Sequence, residues 1–117
     1  MLSNVRIEND ESAQGNYFVS GSAPFVMGHY PGDPVFPGVM SLRCMRQLSD
    51  QLFQEIGSSQ SEPYAQLKRV SFIDIVRPGD VLNVNSSIKK KKPGEVHIQA
   101  EISVDGQVKS KSVFVYR

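Results

Sequence analysis

The 117-residue chain has no tryptophan, one cysteine and two histidines. Cys44 alone cannot close an internal disulfide, and the histidines form no cluster with zinc-ligand spacing, so neither a disulfide framework nor a structural metal is expected. A reducing cytoplasm is the natural compartment. Charge of one sign is scarce too: 13 basic residues face 12 acidic ones for a net charge of +1, which leaves no global field for nucleic acid. Any electrostatic partner must meet a local patch. No run approaches the ~18 apolar residues of a membrane span, and MLSNVRIENDES is polar and acidic where a secretion signal is basic and then apolar. Export and membrane insertion are not expected. With 39% hydrophobic and 21% charged residues, the composition is that of a folded globular chain, and its length suits one domain over 1–117.

Two β-rich segments open the chain, SNVRIEND from Ser3 to Asp10, with Val5 and Ile7 on one face, and GNYFVSGS from Gly15 to Ser22. Between Pro24 and Gly38 stand four prolines and three glycines, too many breakers for regular structure. From Gly38 to Ile56 there is no internal breaker, and Met45, Leu48, Leu52 and Ile56 recur three and four apart. That spacing predicts a helix, with Pro37 at or before its first turn and Gly57 as its stop. Four β-runs follow: QLKRVSFI, DVLNVNSSI with Leu82, Val84 and Ile88 on one face, EVHIQAEISV alternating from Val96 to Val104, and QVKSKSVFVYR. KKKKPGE and VDGQ read as turns, Asp105-Gly106 being a strong hairpin signal. One helix whose apolar face needs burial, beside a largely antiparallel sheet, makes an α+β arrangement in which the sheet wraps the helix.

The segment GHYPGDPVFPGVM strongly resembles the active-site loop of FabZ- and FabA-type 3-hydroxyacyl carrier-protein dehydratases. His29, Tyr30, Pro31, Gly32, Pro34, Pro37, Gly38 and Val39 fill that motif in order. RVSFIDIVRPGDVL resembles the family's strand ending in Pro-Gly-Asp, and AEISVDGQVKSKSVFV its closing hairpin, so the likeness covers nearly the whole chain. The resemblance implies a hotdog fold, a dimer with two sites at the subunit interface, an acyl carrier protein as the substrate's bearer, and no metal or redox cofactor. By family position Val35 is a backbone contact that orients His29, while Pro37, Val39, Arg43 and Gln47 are expected to line the substrate site.

The chemistry accounts for these residue types independently. Dehydrating a 3-hydroxyacyl thioester needs a base for the C2 proton, a donor for the departing hydroxyl and a donor to the thioester oxygen. A histidine with an ordinary pKa of ~6.5 is largely neutral near pH 7, which suits His29 as the base. The amide of Gly38, at a helix N-terminus, suits negative charge on the thioester oxygen. The departure is Arg43, which stands where the family carries the helix Glu or Asp. A guanidinium has five donors and no acceptor and stays protonated, so it is a poor acid. The nearest carboxylates are Asp33, Asp50 and Glu55. Three expectations follow: a heterodimer whose partner gives the acid, a homodimer in which water or Arg43 replaces it, or a non-catalytic subunit. A hotdog acyl thioesterase is a further enzymatic alternative, although Arg43 counts against it as well.

Other candidates have plainer readings. His97 falls on the polar face of an alternating strand and is expected at the surface. Cys44 is expected to pack instead of reacting, and Ser41, without an adjacent base, to lie on the helix surface or in its first turn. Lys89 to Lys92 read as the solvated tip of a hairpin, with docking of an acidic carrier as the alternative; Arg43, Arg46, Lys68 and Arg69 are other candidates for that role. Met27, Met40 and Met45 line an acyl tunnel or fill core.

Overall fold

The computed structural model describes residues 2–19, 38–56 and 65–117. Its elements are β1 (Ser3–Glu8), β2 (Ser12–Phe18), α1 (Gly38–Ile56), β3 (Ala65–Phe72), β4 (Val81–Lys92), β5 (Glu95–Val104) and β6 (Gln107–Tyr116). The strands form one six-stranded sheet in the order β1-β2-β4-β5-β6-β3, and every neighbouring pair is antiparallel. β1 and β3 are therefore the edges. The chain passes from β2 through α1 to reach the far edge at β3, and α1 lies on one face of the sheet, chiefly against β4 and β5.

The packing follows from α1's inward stripe, Ser41, Cys44, Met45, Leu48, Ser49 and Leu52, at the three-and-four spacing of a helix face. Met45, Leu48 and Leu52 are wholly buried against Leu82 and Val84 of β4 and Ile98 and Ile102 of β5 in one core cluster. Burying each such side chain contributes about 1.5–3 kcal/mol. Small residues let helix and sheet approach. A Cβ on Gly15 would stand 3.3 Å from Val5 and 3.6 Å from Leu48. Polar atoms in this layer are paired in part: the hydroxyls of Ser49 and Ser86 are 2.9 Å apart, and that of Ser112 donates to the Met45 sulfur at 3.3 Å, whereas the buried Ser110 hydroxyl has no hydrogen-bond partner among the described residues. At the far end of α1 the Tyr116 hydroxyl donates to Asp50 at 2.5 Å, and its ring stacks on Phe53 with centroids 4.6 Å apart.

The turns follow residue chemistry. Asn9 and Asp10 join β1 to β2 with φ of 54°, and Asp105 and Gly106 join β5 to β6 with φ of 50° and 83°, a left-handed region that these residue types tolerate.

Three readings of the sequence change, and the first-turn place of Ser41 holds. β2 begins at Ser12, ahead of Gly15. Lys89 to Lys92 belong to β4, and the turn is Pro93-Gly94 alone. The pairing of β4 with β2 runs only to Ser87, so beyond it β4 is bound mainly on its β5 side, where lysines sit easily on an open edge. Ser41 lies in the first turn of α1 but is buried. His97 is on the outer face, as its alternation requires, yet it is only 7% exposed, because Lys90 and Val115 pair beside it and long basic side chains surround it. No helix among the described residues is long and apolar enough to cross a membrane, and no cluster there of three or more His, Cys, Asp or Glu could hold a metal.

Candidate functional site

α1 starts at Gly38, where the breaker-rich segment ends, and its first amides have no partner within the helix. A Cβ on Gly38 would meet the Phe72 ring of β3 at 3.1 Å, so glycine permits close contact between the helix start and the edge strand. Val39, Arg43 and Gln47 follow at intervals of four and share one helix face, turned away from the buried stripe. Val39 is 68% exposed, Arg43 is exposed and Gln47 half-buried. His29, Val35 and Pro37 lie outside the described residues, as do Met27, Asp33, Gly57 and the rest of the segment from Pro24 to Phe36.

Val39 and Arg43 line a groove of about 380 Å³ with Leu42, Arg46, Ala65, Leu67 and Phe114, between the flank of α1 and the edge strand β3. It is apolar at its base and cationic at its rim. Arg46 is shared with Asp50 at 3.7 Å, one turn further along, whereas no carboxylate among the described residues lies within ion-pair distance of Arg43. Asp50 is committed elsewhere. Burial pushes its carboxyl above the ordinary aspartate value, against the pull of the Tyr116 hydrogen bond and of Arg46. Tyr116 itself is raised by burial and by that carboxylate.

Cys44, next to Arg43 but on the inward stripe, is buried, and burial pushes its thiol up to about 11 in spite of the nearby guanidinium. A thiol so raised is protonated at neutral pH and is not a nucleophile. Tyr17 is also raised, first by burial. Met40 and Met45 are core packing.

The structure thus brings Gly38, Val39, Arg43 and Gln47 onto the first half of one helix, with Val39 and Arg43 on one groove. Sequence reasoning did not find Phe72, which closes on Gly38, or Leu67, which lines the groove. Their only signal was an apolar residue at each end of a strand whose middle, Lys68 and Arg69, is charged.

Comparison with known proteins agrees with this geometry. A family profile described as ApeI-like, ApeI dehydratase, matches residues 5–112. The 3-hydroxyacyl-[acyl-carrier-protein] dehydratase FabZ of Caldicellulosiruptor saccharolyticus is 33% identical over 106 residues, covering 89% of this chain and 76% of that protein. FabZ of Rickettsia bellii is 27% identical over 113 residues, covering 94% and 78%. Among solved structures, the dehydratase heterocomplex ApeI:P from Xenorhabdus doucetiae superposes with a TM-score of 0.72 at 18% identity, covering 100% of this chain and 97% of that one. A Streptococcus mutans protein bound to acetyl CoA, smu.793, superposes at 0.80 and 11% identity, covering 99% and 86%. A hypothetical thioesterase from Streptococcus pneumoniae with coenzyme A does so at 0.78 and 14%, covering 97% and 85%. At such identities the solved structures establish the fold, which is the hotdog. With the profile match and the curated relatives, the chain belongs to the ApeI-like, FabZ-related family of hotdog dehydratases.

Proposed function

We propose that this chain supplies one half of a 3-hydroxyacyl carrier-protein dehydratase site and that a related hotdog subunit supplies the other half. His29 takes the C2 proton of the acyl thioester. The Gly38 amide donates to the thioester oxygen as charge gathers there, helped by the positive end of α1. The hydroxyl on C3 then leaves with a proton as water, and the C2–C3 bond becomes a trans double bond. The proton comes from a carboxyl group on the partner's helix. Val35 orients His29, Pro37, Val39 and Gln47 line the acyl path, and Arg43 hydrogen-bonds substrate or the partner's carboxylate.

The observation that carries this reading is Arg43, exposed and without a carboxylate neighbour among the described residues, at the helix position where an acid is needed. Asp50 cannot replace it, being held by Tyr116 and Arg46. A partner has a surface to cover. Val39, Leu67 at 41% exposure and Phe72 at 54% lie where α1 meets β3, and β3 is an edge strand whose backbone groups on one side are unpaired among the described residues.

The test is mass spectrometry of a 3-hydroxyacyl carrier protein incubated with this chain alone, and with a related hotdog subunit that carries the helix carboxylate, each beside a His29→Ala control. Loss of one water only in the pair, abolished by His29→Ala, is the expected result. Water loss by the chain alone would assign the acid's work to solvent or Arg43. A pair indifferent to His29→Ala would make this chain a non-catalytic subunit, and release of free acid would make the reaction thioester hydrolysis.

A further inference from the structure

On the helix-facing side of the sheet, close to the start of α1, a buried hydroxyl lacks a partner. Ser110 of β6 is 2% exposed, and its Oγ makes no hydrogen bond among the described residues. Neighbouring hydroxyls of the same layer are met: Ser112, next but one along β6, donates to Met45, and Ser49 pairs with Ser86. A buried hydroxyl left unpaired has lost its hydration and gained nothing in its place, so a fold seldom keeps one idly.

The backbone holds this hydroxyl in a set place. β6 breaks register against β5 where Ile102 faces Ser110 and Ser103 faces Val108, so Lys109 is the extra residue. Its carbonyl accepts from the Ile73 amide at 2.8 Å and the Asp74 amide at 3.1 Å, and its ammonium lies 2.9 Å from the Asp74 carboxylate. A bulge bends a strand and re-aims the residues beside it, and the clamp from Ile73 and Asp74 fixes this one. Next to the bulge, Phe72 of β3, Ser110 of β6 and Ile102 of β5 stand side by side on the face under α1. Phe72 is the residue whose ring a Cβ on Gly38 would meet at 3.1 Å. Ser110 thus lies one strand inward from the side chain that touches the helix start, with the wholly buried Ile102 on its other side.

The reacting groups of the substrate already have partners in the proposed function: the thioester oxygen meets the Gly38 amide, and the C3 hydroxyl meets the partner's carboxyl. A hydroxyl left over beside the helix start therefore calls for a further polar atom on the acyl chain. The chain has a way there. The groove between α1 and β3 is lined by Phe114 of β6, and Ser110 lies four residues away along β6 on the same face, toward Gly38. Phe72, on the edge strand, is the outer member of the row, and a ring 54% exposed turns aside on the timescale of side-chain rotation. Resting on the 3-hydroxyacyl reading of the same site, we propose that Ser110 is a specificity-determining residue whose hydroxyl bonds an oxygen carried on the acyl chain a few carbons beyond C3. The substrate class is then an oxygenated 3-hydroxyacyl chain ahead of a plain alkyl one. A site with a buried hydrogen-bonding group discriminates against a ligand without the matching atom, because its own polar group is then left unpaired.

The experiment compares kcat/KM for 3-hydroxydecanoyl pantetheine with that for its 5-oxa, 6-oxa and 7-oxa analogues, in which an oxygen replaces one methylene and the chain's shape is kept. Wild type, Ser110→Ala and Ser112→Ala are each assayed with the related subunit present. The expected result is a preference of about fivefold or more for the best-placed oxygen in wild type, lost in Ser110→Ala and kept in Ser112→Ala. Ser110→Ala removes an unpaired hydroxyl and should melt no lower than wild type, which controls for folding. A plain chain turned over as well as every oxa chain by wild type would overturn the proposal, as would a preference that survives Ser110→Ala or that Ser112→Ala abolishes as fully. The same chains without the 3-hydroxyl cannot lose water, and calorimetric titration with them reads binding alone. If they show the Ser110-dependent preference while no thioester loses water, the subsite stands and the dehydratase reading falls; if water is lost from plain and oxa chains alike, the subsite falls alone.

Discussion

The two faces of α1 answer to different demands. Its inward stripe is met within the chain: Met45, Leu48 and Leu52 are wholly buried, and Ser49 finds Ser86. Its outward stripe is not met among the described residues: Val39 is exposed, Arg43 has no acidic neighbour there, and the groove beside them ends at a strand edge that no described strand pairs. One helix thus completes the fold and leaves the site unfinished. Substitutions on the inner face should cost stability wherever the chain is tested, while those on the outer face should register mainly when a partner or substrate is present.

The largest stability effect is expected at the centre of the inner face. Leu48→Ala removes a wholly buried side chain that packs over Gly15, and about 2–5 kcal/mol of unfolding free energy should be lost in a chemical denaturation series. A loss typical of a surface site would break the comparison.

A smaller effect belongs to the far end of the helix. Tyr116→Phe removes the donor to Asp50 and should cost about 0.5–1.5 kcal/mol near neutral pH. The same pair gives a pH signature. Because burial raises the Asp50 carboxyl in the folded state, its proton is held more tightly there than in the unfolded chain. It therefore contributes stability below the ordinary aspartate value of 3.8, and that contribution fades as pH rises through the folded titration. Melts of wild type and Asp50→Asn over this range should show wild type losing ground to the variant as pH increases. The opposite slope would mean that Tyr116 and Arg46 outweigh burial.

The smallest effect on the isolated chain is expected outside. Val39→Ser should change unfolding stability by no more than about 0.5 kcal/mol, as at other exposed positions. In sedimentation experiments it should nonetheless weaken subunit association. A variant that unfolds readily but associates normally would reverse the roles given to the two faces.

Much of this was legible in the sequence because periodicity reports burial. The helix from Gly38 to Ile56 matches its predicted bounds, and the alternation from Val96 to Val104 places those residues inward. The Asp105-Gly106 turn was equally plain, since few residue pairs adopt its positive φ. The sequence was silent where structure depends on what lies opposite. Nothing in QLKRVSFI says that Lys68 drops out of register, and nothing beside His97 in the chain reveals that Val115 and Lys90 close around it. The lysine run looked like a tip because charge was read as solvation, whereas pairing with β5 needs only the backbone. Of the site, Gly38, Val39, Arg43 and Gln47 could be placed on one helix from their spacing, and the resemblance supplied their roles. Phe72 against Gly38 is a contact between distant segments, which spacing does not encode.

The claim that the outer face is unfinished for want of a carboxylate is tested most directly by putting one there. Arg43→Glu in this chain, paired with a second copy of itself and with no related subunit present, should gain loss of water from a 3-hydroxyacyl carrier protein over wild type alone by about 10²–10⁴-fold, the usual contribution of a general acid, and His29→Ala should erase the gain. If wild type alone already dehydrates that substrate as fast as Arg43→Glu, the chain's own site is complete and the account of its missing half is wrong.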